Sequence, residues 1–465
     1  MKLIKIEGNL LSTPQQIEEI IQSLVSSHPT YVTIAISGNH EIENTLEQIA
    51  RNSKDVSFDF ANETNVIEAY YLNLTREVIP VMQQSAVLSF VKQRCNELED
   101  LCKGIQLLGE SPIKTLNEIR RLSSVILSYL IFKSISHVYE DVSYGEVSEK
   151  KKLHIIPVHG LNDKEKINNT SSISSDVRVA QIAIEQDIHS IEFWTDQSQY
   201  YTADPTLVKN AMPISELGYE EAVELMNYDQ HIIDPQALGL LIHHKKNISI
   251  LHKRNGSVYT SIKKSVEEKK EMITGISSLE GISLINVEGS GMIGVPGFAK
   301  RVFECLYNSN INVILISQGA SEHSICVAVK SIYSILASEH LSTSFSEEIM
   351  FGIVKPIQII EHTSIIALVG ENMRSHPGIS GRMFYALGRN GINVLAIAQG
   401  SNEKNISAVI RSSDKEKALN VLHETFFEYT KKEINLFIIG TGNVGKKLIA
   451  QIKQQYQKIA ATQNI

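Results

Sequence analysis

The stretch INVILISQGASEHSICVAV, residues 311–329, returns as INVLAIAQGSNEKNISAVI at 392–410. The offset is 81 positions with no gap: Asn312/Asn393, Gln318/Gln399, Gly319/Gly400 and Glu322/Glu403 all keep it. Pro296/Pro377, Gly297/Gly378, Phe303/Phe384 and Leu306/Leu387 carry the match upstream. Two copies make a duplicated domain, since a solenoid needs at least three repeats to bury its faces. Each copy reads as a strand (ISLINVEGSG or SIIALVGENM), a helix begun at Pro-Gly, a strand, a Gln-Gly turn and a further strand. Proline is expected in the first helical turn, where its missing N–H has no intrahelical partner to lose.

Ahead of the duplication the chain changes character. Residues 1–265 hold nine of the 26 glycines, and the last 200 residues hold seventeen. YVTIAIS (31–37), SIEFWTD (190–196) and NISILHK (247–253) are buried-strand candidates. TPQQIEEIIQSLVSS (13–27) has helical periodicity with Thr13 as its cap, and 84–135 reads as two or three long helices. INNTSSISSD (167–176) is a polar loop. Alternating strands and helices predict an α/β sandwich on a mainly parallel sheet. The charged run KKSVEEKKEM (263–272) marks a boundary.

The chain of 465 residues has room for two or three domains. A net charge of −8 with no basic stripe argues against nucleic acid as a partner. No apolar run approaches the ~18 residues that span a bilayer, and MKLIKIEGNLLS lacks a signal-peptide pattern. Four cysteines without a CxxC fit a reducing, cytoplasmic setting. The fifteen histidines form no HxxxH, so no metal site is expected on His243, His244 or His252.

At the far end, INLFIIGTGNVGKKLIAQI runs an apolar strand into Gly440, Gly442 and Gly445 and then a helix, the setting in which GxGxxG binds a dinucleotide. Residues 446–465 contain no acidic residue to hold a ribose. The expectation is the opening of such a domain, incomplete and without the means to hold NAD(P).

In this order the pieces resemble the amino-terminal part of the bifunctional aspartokinase/homoserine dehydrogenases. VEGSGMIGVPGFAKRVFECLYNSNINVILISQGASEHSICVAV is similar to that family's first ACT domain, GINVLAIAQGSNEKNISAVI to its second, and INLFIIGTGNVGKKL to its first dehydrogenase strand. IEFWTDQSQYYTADPTLVKNAMPISELGYEEAVELMNYDQHIIDP and LLGESP resemble the aspartate kinase domain. The resemblance implies three parts. The first is an amino-acid-kinase-like α/β/α sandwich over 1–265. Two ferredoxin-like ACT domains follow over 266–432, and the first strand and helix of a Rossmann domain over 433–465. It also implies threonine or a related amino acid as effector, and a homo-oligomer built through the ACT domains. The physics of the repeat is compatible with an effector. A carboxamide at Gln318 or Gln399 both donates and accepts, and amides at the turn through Gly294 and Val295 can hold a carboxylate. Asn312 and Asn393 are further candidates, or else simple turn residues.

For phosphoryl transfer the parts are glycine backbone around the phosphates, cations and Mg²⁺. The family's K-F-G-G-T-S reads KIEGNL here, keeping Lys5 and Gly8 but placing Glu7 at the first glycine. Its G-R-G-G-S-D loop aligns with SSISSD, keeping Ser175 and Asp176 with Ser172 at the arginine. Its G-E-R-L-S element aligns with SSVIL (123–127), and F-G-A-K-V-L-H-P-R becomes YDQHIIDPQ, with His231 at the lysine and Gln236 at the arginine. The K-N-T turn reads HKR at 252–254, and the chain has no Gly-Gly dipeptide. Two readings follow. In one the chain phosphorylates L-aspartate with ATP and Mg²⁺: Lys5 steadies the phosphoryl group, Asp176 orients substrate, and Gly8, Thr195 and Asp196 border the nucleotide. In the other the kinase site is impaired or silent and serves as a regulatory and oligomerisation module. Residue by residue, Lys5 also reads as a surface lysine at a strand edge and Asp176 as a helix N-cap.

Overall fold

The computed structural model describes all residues except 27–30, 146–150, 160–173, 196–199, 227, 229–231, 253–257, 265–271, 293–294, 320–323, 372, 374–375, 400–403, 429–441 and 464–465. The chain divides into two units. The first comprises 1–200, 213–227 and 231–268, and the second 201–212, 228–230 and 269–465.

The first unit contains β1 (Lys2–Ile6), α1 (Pro14–Ser26), β2 (Val32–Ile36), α2 (His40–Asn52), α3 (Phe60–Val78), α4 (Val81–Leu108), α5 (Ile113–Val138), β3 (Val142–Tyr144) and β4 (Leu153–Pro157). It continues with α6 (Ser175–Glu185), β5 (Ser190–Thr195), β6 (Glu216–Gly218), α7 (Tyr219–Met226), α8 (Pro235–His243), β7 (Asn247–His252) and β8 (Val258–Lys263). The strands lie in the order β3-β4-β2-β1-β5-β7-β8-β6. Every pairing is parallel except β7 with β8. A sheet covered on both faces calls for strands buried at consecutive residues, and LIKI, TIAI and IEFWT are buried throughout. Helix α1 opens with a capping box: the Thr13 amide donates to Gln16 Oε1 and the Gln16 amide to Thr13 Oγ1.

The sheet position corrects one reading of Lys5. Strand β1 is central, paired on both sides, so Lys5 is 3% exposed and not an edge lysine. The order also places the topological switch at β1, whose neighbours β2 and β5 precede and follow the helical excursion. Ligands of open α/β sheets bind beyond the carboxyl ends of strands at such a point.

The second unit contains β9 (Gly275–Glu288), α9 (Phe298–Asn308), β10 (Leu315–Gln318), β11 (Ser324–Lys330), α10 (Ser334–Ser344), α11 (Ser346–Met350) and β12 (Gln358–Val369). After these come α12 (Ile379–Arg389), β13 (Ala396–Gln399), β14 (Asn405–Arg411), α13 (Lys415–His423) and α14 (Asn443–Gln463). One six-stranded antiparallel sheet, β10-β11-β9-β12-β14-β13, holds both copies, which meet along β9 and β12.

The duplication runs deeper than the letters. Ser283 and Ser331 share a hydroxyl hydrogen bond of 2.8 Å, and Ser364 and Ser412, each 81 positions on, share one of 2.9 Å. Arg301 Nη2 donates to Ser344 O and Arg382 Nη2 to Thr425 O, while the two guanidiniums lie over Phe345 and Phe426. Upstream, the Thr274 amide donates to Val369 O and the Lys355 amide to Glu288 O, both at 2.7 Å. Gly289 and Gly370 press against those two segments. A Cβ at Gly289 would come within 2.1 Å of Ile353 O, and one at Gly370 within 2.3 Å of Met272 O. Each copy therefore borrows its outer segment from the other.

Helix α9 starts at Phe298 with Gly297 as its cap at φ 104°, and α12 starts at Ile379 with Gly378 at φ 95°. The expectation that Pro296 and Pro377 sit in the first helical turn is thus corrected. The left-handed glycine takes the cap, and each proline lies just outside the helix, in the turn before it. Segment 201–212 belongs to this unit, where Ala203 and Val208 join the core of the second copy and Thr202 Oγ1 meets His423 Nε2 at 2.9 Å. Of the dinucleotide motif, Gly440 and the strand before it lie outside the described residues, as does Gly294. Gly442 is exposed and Gly445 lies in α14. No described helix is long and apolar enough to cross a membrane.

Candidate functional site

Three strands of the first unit end together. After β1 the Glu7 amide donates to Trp194 O, extending the β1–β5 ladder by one bond. After β2 the Ser37 amide donates to Ile6 O, and Ser37 Oγ accepts from the Gly8 amide at 3.3 Å. Gly8 is required by close approach, because a Cβ there would lie 2.3 Å from the Gly38 carbonyl carbon. Asn39 then caps α2, accepting from the Glu41 and Ile42 amides. Its own amide donates to Ser123 Oγ from α5.

Into this junction points Lys5. Its Nζ lies 2.5 Å from Asp176 Oδ1 and 3.7 Å from Glu7 Oε1. Asp176 is held by a second bond, accepting from the Asp234 amide at the start of α8 at 2.9 Å. Glu7 is held as well: Thr195 Oγ1 at the end of β5 donates to Glu7 Oε2 at 2.7 Å. Burial by itself would push Lys5 down, but Asp176 and Glu7, with Glu43 beyond them, outweigh it and hold the ammonium above the ordinary lysine value. Burial pushes the Glu43 carboxyl up, against the opposing charges of His40, Arg120 and Lys5. Tyr200 is fully buried, its hydroxyl held well above the usual phenol range by burial and by Asp176.

The structure thus brings Lys5, Gly8, Asp176 and Thr195 to one place, and Asp196 lies outside the described residues. The N-cap reading of Asp176 is corrected. Ser174 caps α6 by accepting from the Val177 amide, which leaves Asp176 in the first turn with its carboxylate on Lys5. His231 and Ser172 also lie outside the described residues. Glu43 and Tyr200 were not singled out by sequence. Asn39 had a signal, a capping residue between an apolar strand and a helix, whereas Tyr200 had none.

In the second unit Gln318 and Gln399 are the exposed last residues of β10 and β13. Gln399 Oε1 accepts from Ser380 Oγ, in the first turn of α12, at 3.4 Å. The matching position of the first copy is Ala299, which offers no hydroxyl. The glycine caps of α9 and α12 supply no side-chain acceptor to the first-turn amides, which are therefore available to an anion. Asn312 and Asn393 are exposed on the approach to β10 and β13, and Val295 is exposed before α9.

Comparison with known proteins agrees with this division. The amino acid kinase family model matches residues 1–252, and the ACT domain model matches 285–345 and 366–426. The chain is 30% identical to the bifunctional aspartokinase/homoserine dehydrogenase of Haemophilus influenzae over 99% of its own length and 60% of that protein's. It spans only about three-fifths of that relative. Among solved structures, the aspartate kinase of Clostridium acetobutylicum superposes with a TM-score of 0.71 at 19% identity, covering 92% of this chain and all of that one. The E. coli aspartokinase III in complex with aspartate and ADP gives 0.69 at 16%, again over 92% of this chain and all of that one. At these identities the likeness is one of fold.

Proposed function

Because the chain belongs to the amino acid kinase family and carries two ACT domains, we propose that it serves the aspartate pathway as a regulatory chain. Its ACT pair binds an amino acid, and its kinase-type site turns over ATP and aspartate weakly or not at all. The resemblance of the repeat makes threonine the first effector to test, and self-assembly through the second unit is part of this reading.

The observation that carries it is the compensation of Lys5. Transferring a phosphoryl group needs fixed positive potential where charge develops. Here the cation faces Asp176 at 2.5 Å and Glu7 at 3.7 Å, so its positive potential is already met by carboxylates before any phosphate arrives. Two like charges ~4 Å apart repel by about 4 kcal/mol at an effective dielectric of ~20. That is about 10³-fold in rate or affinity. The second reading, an active aspartate kinase, is favoured by the convergence of Lys5, Asp176 and Thr195 beyond the strand ends. In it ATP with Mg²⁺ would supply the phosphoryl group.

One assay separates them. The chain is given ATP, Mg²⁺ and L-aspartate with hydroxylamine to trap the acyl phosphate, with and without threonine. The regulatory reading expects no aspartate-dependent hydroxamate, together with a melting temperature raised by threonine and a rise diminished in Gln318→Ala and Gln399→Ala. Aspartate-dependent product suppressed by threonine would replace it with the active-kinase reading.

A further inference from the structure

A buried polar group without a partner asks for an explanation. Tyr200 is fully buried, and among the described residues its hydroxyl has no hydrogen-bond partner. Other buried tyrosines of the first unit are satisfied. Tyr71 Oη shares a hydrogen bond with Ser123 Oγ at 2.9 Å, and Tyr219 Oη donates to Lys246 O at 2.7 Å. Nor does the Tyr200 hydroxyl hold its own segment, because the Ile214 amide fixes this residue through its carbonyl at 2.8 Å. A phenylalanine would fill the ring's place without stranding an O–H. What the hydroxyl does have is a charged neighbour: burial, with Asp176 behind it, holds the phenol above its ordinary range. It therefore keeps its proton and can donate.

Asp176 can take a further donor. Its Oδ1 accepts from Lys5 Nζ at 2.5 Å and its Oδ2 from the Asp234 amide at 2.9 Å, and each carboxylate oxygen has two acceptor positions. We infer that Tyr200 is a positioning residue for Asp176: when an anionic ligand takes Lys5, the Asp176 carboxylate turns from Lys5 Nζ to the Tyr200 hydroxyl and keeps its bond to the Asp234 amide. The site then has two states. In the closed one Asp176 compensates Lys5 and the phenol is stranded. In the open one a ligand oxygen replaces Asp176 on Lys5, and the phenol donates to the carboxylate in a charge-assisted bond. The stranded hydroxyl raises the closed state toward the open one, and the ligand tips the balance by binding the open state alone. No proton changes hands and no charge is left unpaired. The ligand class is a polyphosphate, whose oxygens match a lysine placed beyond the strand ends. The inference rests on the proposed compensation of Lys5 and adds the group that relieves it.

The test is calorimetric titration of the full chain with ATP and Mg²⁺, set beside thermal melting. Tyr200→Phe is expected to melt at or above the wild-type temperature, since no bond of the closed state is lost. It should nevertheless bind ATP about 10-fold more weakly. Asp176→Asn should bind ATP at least about 10-fold more tightly than wild type, because Lys5 is no longer compensated by that carboxylate. In the Asp176→Asn background Tyr200→Phe should change affinity by less than about 2-fold, the carboxylate it serves being gone. ATP should also produce a tyrosine difference absorption in wild type that is missing from Tyr200→Phe. Unaltered ATP binding in Tyr200→Phe, or an equal loss in both backgrounds, would overturn the positioning role alone. Asp176→Asn that folds but binds ATP no more tightly than wild type would overturn the compensation of Lys5 on which the inference rests. Should Asp176→Asn not fold, Tyr200→Phe in the wild-type background decides, through its affinity and its difference absorption together.

Discussion

The amino-terminal site and the carboxy-terminal repeat have both lost sequence to divergence, but they have kept different things. In the repeat, pairs at an offset of 81 retain the same hydrogen bonds even where the letters differ. The Thr274 amide to Val369 O and the Lys355 amide to Glu288 O are one device written with four different residues. In the amino-terminal unit the strands and the close approach of Gly8 to Gly38 persist, while Lys5 faces two carboxylates, Asp176 and Glu7. Backbone hydrogen bonds need only a backbone, so they outlast substitution. A phosphate site depends on a few side chains, and one carboxylate is enough to reverse its sign.

The sharpest way to break this contrast is to open the Lys5 cluster. If Asp176 serves the fold, Asp176→Asn leaves the buried ammonium with Glu7 at 3.7 Å and the more distant Glu43, and is expected to cost about 3–5 kcal/mol. Replacing both partners together, Lys5→Met with Asp176→Leu, should cost less than the single change, since no buried charge is stranded. Urea unfolding followed by circular dichroism would decide. A neutral Asp176→Asn would mean the ion pair is kept for chemistry, which returns the site to the active reading.

A middle-sized effect tests the repeat. Gly289→Ala and Gly370→Ala each force a methyl against a backbone carbonyl of the segment that the copies exchange. Each should cost about 1–3 kcal/mol, and by similar amounts. A large effect in one copy and none in the other would show that the shared segment is structural on one side only.

The smallest effect is one of pH. Glu43 has its pKa raised in the folded chain, so folding binds its proton and stability falls as pH rises from the ordinary carboxylate value through the raised one. Glu43→Gln, which mimics the protonated form, should therefore raise the unfolding midpoint at neutral pH. The gain should shrink to nothing well below the ordinary carboxylate value of ~4.3, where Glu43 is protonated whether the chain is folded or unfolded. A gain independent of pH would point to packing in place of charge.

Much of the fold was legible beforehand. The strands at 32–36, 190–195 and 247–252 coincide with apolar runs, the long helices with 3.6-residue periodicity, and the Thr13 cap with its Thr-x-x-Gln pattern. The candidate site was legible in part. Lys5 and Asp176 could be picked out by motif, but periodicity could not tell a central strand from an edge, and so a surface reading of Lys5 stood beside the catalytic one. The expected place of the proline in each Pro-Gly pair is about two residues too far into its helix, because the sequence does not reveal which residue takes the left-handed φ.

By itself, then, the sequence determined the duplication and its offset, the alternation that makes a parallel sheet, and the presence of a carboxylate at position 7. Those are properties of local composition and spacing, which act over one turn or one strand. Tertiary structure alone decided that Glu7 turns to Thr195 and Lys5, that Asp176 bridges Lys5 to the start of α8, and that segments 272–274 and 353–355 change places between the copies. Apart from Lys5 with Glu7, each of these joins residues 58 to 188 positions apart. Such pairings are selected by packing and backbone hydrogen bonding in the folded chain, and they leave no periodic mark in the sequence.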